Sequence, residues 1–134
     1  MVRVIAALFA ACLLWTAMPS AGQARGSFDC ACMHNQTGLP VNFRYKWGNE
    51  DWRSRQVAPG ANYALCWNYA GGPHASSPLL FQLDRDMGPG VAWTDYTIAR
   101  VGSMTNQCSG VPRPGQYFVR FQPGTNGQFI HVTK

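Results

Sequence analysis

The chain has 134 residues, of which 46% are hydrophobic, 13% aromatic and 13% charged, with 11 basic side chains against 6 acidic ones. So little charge beside so many aromatics excludes a solvated disordered chain, and the excess of Ala, Glu, Lys and Leu that marks a coiled coil is missing. Fourteen glycines and nine prolines point instead to many turns between short elements.

Arg3 opens an apolar stretch from Val4 to Ala17, broken only by Thr16, and Pro19, Ser20, Ala21, Gly22 and Ala24 follow it. A basic start, an apolar run and small residues in this order form a secretory signal, expected to span residues 1–24 and to be cleaved after Ala24. The run is shorter than the roughly 20 residues a spanning helix needs, and no later segment comes close, so no transmembrane segment is expected. Residues 25–134 are expected to form a single domain, secreted or periplasmic, with a net charge of +4. Cys30, Cys32, Cys66 and Cys108 remain in it, an even count that in an exported chain implies two disulfides. Cys30 and Cys32 sit too close together to bond without strain, so each is expected to reach Cys66 or Cys108.

Along the domain the hydrophobic pattern repeats every two residues, and no segment shows a helical period. Val41, Phe43, Tyr45 and Trp47 alternate with Asn42, Arg44 and Lys46, which predicts a half-buried strand. Gly48 to Asp51 is a turn, and Trp52 to Val57 returns as the partner strand. Pro59-Gly60 turns again, and Tyr63, Leu65, Trp67 and Tyr69 line one face of the next strand. Further strands are expected at Leu79 to Leu83, near Ala92 to Val101, at Tyr117 to Phe121 and at Phe129 to Thr133. About seven short strands separated by turn signals predict an all-β fold, a single antiparallel β-sandwich or barrel stapled by two disulfides.

Enzyme chemistry finds little support. There is no G-x-S-x-G elbow, and nothing in the spacing of His34, His74 and His131 brings them together. Asp84 and Asp86 point to one side of their strand, the nearest approach to a hydrolase's paired carboxylates, but a solvated strand end before the Gly-Pro-Gly turn explains them better. No catalytic residue and no cofactor is assigned, and a small secreted hydrolase ranks last among the alternatives. Cys30, Cys32, Met33 and His34 are soft ligands of the kind that hold copper(I) or zinc, with Met87, Met104, His74 and His131 available to complete a site. A periplasmic metal protein is therefore the first alternative, set against the demand of disulfides for the same cysteines. Asn35-Gln36-Thr37 fits an N-glycosylation acceptor, provided the source has that machinery.

The favoured reading is a non-catalytic binding module. If Trp47 pairs with Trp52, then Lys46 faces Arg53, Tyr45 faces Ser54 and Arg44 faces Arg55. One face of the hairpin would carry Trp47 and Trp52, and the other Arg44, Lys46, Arg53 and Arg55. Like charges directly opposite cost stability, and a fold that keeps them has a field ready for an anion. The expected partner is an anionic glycan, an envelope lipid headgroup or an acidic protein. Nucleic acid is not expected, given the modest net charge and the export signal.

Overall fold

The structure, a computed structural model, describes residues 27–69 and 76–134. The expected signal segment and His74 lie outside the described residues. Nine strands among those residues make two sheets packed face to face. The first has the order β4 (Asn62–Asn68), β1 (Phe28–Asn35), β8 (Gln116–Phe121), β9 (Ile130–Thr133), and β7 (Val101–Ser103) also pairs with β1. The second has the order β3 (Arg53–Val57), β2 (Val41–Trp47), β5 (Leu79–Asp84), β6 (Trp93–Tyr96). The all-β sandwich is the expected one.

Two features differ from the expectation. One is β1, which the alternation does not announce, because Ala31 and Met33 face the other sheet while Cys30 and Cys32 are equally buried on the opposite side. A strand covered on both faces shows no polar alternation. β1 pairs with β4 along one edge, and β7 and β8 share the other, with β8 running parallel to it over Cys32–Asn35. The second is the stretch 92–101, which is not one strand. It leaves the second sheet after Tyr96 and joins the first at Val101, and on the way the Ala99 N–H donates to the Tyr117 hydroxyl at 2.8 Å.

The main core lies between the sheets, with Ala31, Met33, Leu65, Tyr117, Val119 and Ile130 meeting Val41, Phe43, Tyr45, Trp47, Phe81 and Leu83. Each large side chain buried there contributes about 1.5–3 kcal/mol. A second, smaller core lies on the outer side of the first sheet, where Cys30 and Cys32 meet Cys108 and Val111 of the segment that covers them. Cys30 bonds Cys66, its opposite neighbour on β4, and Cys32 bonds Cys108. These bridges close loops with separations of 36 and 76 residues, each adding roughly 3–5 kcal/mol in the loop-entropy picture.

Turn chemistry follows the sequence. Between β8 and β9, Asn126 and Gly127 take φ of 51° and 74°, and the Gln128 N–H closes on the Thr125 carbonyl at 3.0 Å. Two left-handed residues in succession suit the twist of a hairpin, and Asn-Gly is the pair that adopts them at least cost.

Candidate functional site

The hairpin of β2 and β3 is in place, but its register differs by one residue from the predicted one. Tyr45 faces Arg53, Arg44 faces Ser54 and Phe43 faces Arg55, because Val57 must pair with Val41 for both to enter the core. A slip of one residue exchanges the faces of a strand. Arg53 and Arg55 therefore lie on the core side of β3, at the open edge of the sandwich, and not beside Arg44 and Lys46. There the Arg53 guanidinium sits 6.0 Å from the Tyr45 ring and pairs with Glu50 at 3.1 Å, while Arg55 Nε donates to the Tyr63 hydroxyl at 3.2 Å. That bond to Tyr63 holds the Arg55 guanidinium above its ordinary range. Burial pushes the Tyr45 phenol up, and its contact with the Tyr63 hydroxyl at 3.2 Å adds to the effect. The predicted face of four cations does not exist. Trp47 is likewise no surface residue, since it is buried in the core with its ring 5.5 Å from that of Trp67.

What the register does assemble is a different face. On the outer side of the second sheet a row crosses all four strands through Ser54, Arg44, Gln82 and Asp95. Arg44 Nε donates to Gln82 Oε1 at 2.6 Å, and Gln82 Nε2 donates to Asp95 Oδ1 at 2.7 Å. The Arg44 guanidinium lies 4.6 Å from the Trp52 ring and 4.8 Å from the Trp93 ring, and Lys46 Nζ lies 4.9 Å from Trp52. Both indoles are half-buried, as are Arg44 and Lys46. The cation–π contacts fix them as side chains of a packed surface. On one side of the row a cleft of about 430 Å³ runs between Lys46, Trp52, Leu80, Asp95 and Thr97. On the other a shallower one of about 320 Å³ is lined by Asn42, Ser54, Arg55, Gln56, Val91 and Trp93.

Of the residues singled out from the sequence, Arg44, Lys46 and Trp52 are thus brought together, Arg55 reaches only the margin of the shallower cleft, and Trp47 and Arg53 stand apart. Gln82, Trp93 and Asp95 are not among the site residues expected from the sequence. Their alternation with Phe81, Leu83 and Tyr96 was visible, but only the placing of β5 and β6 beside β2 puts them next to Arg44.

The remaining sequence candidates find structural roles. Cys30 and Cys32 are spent on disulfides, and Met33 faces the core, so the soft-ligand cluster is divided between two sides of β1. Asn35 is buried, its amide donating to the Leu39 and Val57 carbonyls at 2.7 and 3.0 Å and its oxygen accepting from the Thr37 hydroxyl at 2.6 Å. The Asn-x-Thr stretch is a buried turn lock and cannot accept a glycan in the folded chain. Asp84 is buried and accepts from the Ala92 N–H at 2.9 Å, and Asp86 accepts from the Gly88 N–H at 2.9 Å. These two carboxylates organise the turn after β5; Asp84 is not the solvated strand end the sequence suggested.

No family model, no curated protein and no solved structure matches this chain.

Proposed function

We propose that this protein is an exported, non-catalytic binding module that takes an acidic glycan across the outer face of the β3-β2-β5-β6 sheet. The observation that carries this reading is the convergence of Trp52 and Trp93 on Arg44, with Lys46 beside them. Indoles held at a surface offer large, rigid, amphipathic area to the apolar side of a sugar ring. Asn42, Gln56, Gln82 and Asp95 supply the donors and acceptors that hydroxyl groups require. Arg44 and Lys46 are partly open to solvent on this face. Of its two carboxylates, Asp95 accepts from Gln82, and Asp84, paired with Trp93, is buried against the Ala92 N–H. That balance favours a polymer that carries negative groups over a neutral one. Two disulfides fit an oxidising compartment, and with the amino-terminal apolar stretch they support secretion or a periplasmic location.

Binding of the purified protein to polygalacturonate, dextran and phosphatidylglycerol vesicles, at low and high salt, tests the reading. Polygalacturonate is expected to bind, to weaken with salt, and to lose at least about tenfold in affinity in the Trp52→Ala, Trp93→Ala double variant. Equal binding by that variant removes the face from consideration. Binding to vesicles alone replaces the glycan with an anionic lipid surface.

A further inference from the structure

The opposite face of the sandwich carries a cleft of its own. On the outer side of the first sheet, where the covering segment ends, a cleft of about 720 Å³ opens between His34, Arg113, Pro114, Gln116, Phe118 and Lys134. Gln116 has no hydrogen bond left to offer there. Its Nε2 donates to the Cys108 and Val111 carbonyls at 2.9 and 2.8 Å, which turns its oxygen toward His34 Nε2. That oxygen can only accept, so His34 presents its proton on Nε2, on the side where the ring also meets Cys32 Sγ at 3.3 Å. The imidazole is thereby fixed, stacked 5.0 Å from the Phe118 ring. Rigid aromatic and proline surface makes the wall.

The charged side chains at this wall are all of one sign. Arg113 is exposed, and the Arg120 guanidinium lies 5.2 Å from the Phe118 ring while its Nε donates to Gln36. Lys134 Nζ donates to the Pro114 carbonyl at 2.9 Å. Among the described residues the ion pairs are Arg53–Glu50 and Arg100–Asp29, so none of these three cations has a carboxylate partner. The other acidic side chains belong elsewhere: Asp51 in the β2–β3 turn, Asp84 and Asp86 at the end of β5, and Asp95 on the opposite sheet. Cationic side chains without an acidic side-chain partner beside an apolar wall, in a cleft of small-molecule size, match a ligand with an anionic head and a compact apolar body.

We infer that this cleft binds a small organic anion, a carboxylate or sulfonate carried on a body of one or two rings. Arg113 and Lys134 would hold the head, and Phe118, Pro114 and the fixed His34 would hold the body. This inference does not depend on the glycan face, which lies on the other sheet.

Three probes separate head from body: naphthalene-2-sulfonate, 2-naphthalenemethanol and inorganic sulfate, each titrated into the ¹⁵N-labelled full-length protein and followed by NMR. The sulfonate is expected to saturate, with shifts centred on His34, Gln116 and Phe118. The alcohol and sulfate alone are each expected to bind at least about tenfold more weakly. Arg113→Glu, an exposed change whose folding the same spectrum checks, should weaken the sulfonate by about tenfold or more, and Arg113→Lys should keep most of the affinity. Equal affinity for the alcohol, unchanged affinity in Arg113→Glu, shifts that fall on another face, or no saturation up to about 10 mM would each overturn the assignment.

Discussion

The two outer faces of this sandwich are treated in opposite ways. On the first sheet the outer side of β1 is apolar, formed by Cys30 and Cys32, and a covering segment is tied over it by the Cys32–Cys108 bond. On the second sheet the outer side is left open, and Arg44, Lys46, Trp52 and Trp93 are ordered by one another rather than by a cover. The lesson is one of division of labour. The disulfide side supplies the stability that a small domain is short of, and the open side is free to carry polar and aromatic groups whose arrangement costs the fold little. Substitutions on the two faces should therefore separate stability from binding.

The largest effect is expected on the covered side. Replacing both Cys32 and Cys108 by Ala should lower unfolding stability by roughly 3–5 kcal/mol, measured by urea denaturation. A loss below about 1 kcal/mol would mean that the covering segment is held without its bridge. Gly115 offers a second entry to the same region, because a Cβ there would come within 2.6 Å of Val101 Cγ2, 2.8 Å of Val111 Cγ1 and 3.1 Å of the Cys30 carbonyl oxygen. Gly115→Ala should cost about 1–3 kcal/mol by crowding. On the open face Trp52→Ala should change stability by less than about 1 kcal/mol, the scale of a cation–π contact at a partly exposed site, while reducing glycan binding. If Trp52→Ala proves as costly as Gly115→Ala, the two faces are not divided as described.

The smallest effect concerns pH. Burial and the neighbouring Tyr63 raise the Tyr45 phenol, so the folded chain favours its neutral form. A raised folded value means that the associated stability is complete below the ordinary tyrosine value near 10 and is lost as pH rises through the folded one. Between about pH 9 and 11, Tyr45→Phe should lose less stability than the unmodified chain. Parallel losses in the two proteins would place the alkaline sensitivity elsewhere.

The same contrast explains what could be read from the sequence. β2 stood out because one side of it faces water, so Asn42, Arg44 and Lys46 punctuate Val41, Phe43, Tyr45 and Trp47. β1 did not, because a strand with three partner strands and two buried faces has lost its polar alternation, and Phe28–Asn35 read as a cluster of reactive side chains. The count of two disulfides followed from parity, whereas their pairing needed β4 beside β1. The hairpin was legible but its register was not, since the turn residues allow either pairing and the burial of Val57 against Val41 decides between them. Arg44, Lys46 and Trp52 were recoverable as surface groups of one strand and its turn. Trp93, Gln82 and Asp95 joined them through strand order, a long-range property that local periodicity does not encode.

The proposed glycan face is tested most directly by the four indole N–H signals of residues 25–134 in an NMR titration with short oligogalacturonates. Trp52 and Trp93 lie half-buried on the open face, whereas Trp47 is buried in the core and Trp67 packs against it. The expected result is saturable movement of the Trp52 and Trp93 signals, with those of Trp47 and Trp67 unmoved. Movement of Trp47 and Trp67 alone, or saturable binding that leaves all four unmoved, would contradict the assignment of the glycan to this face.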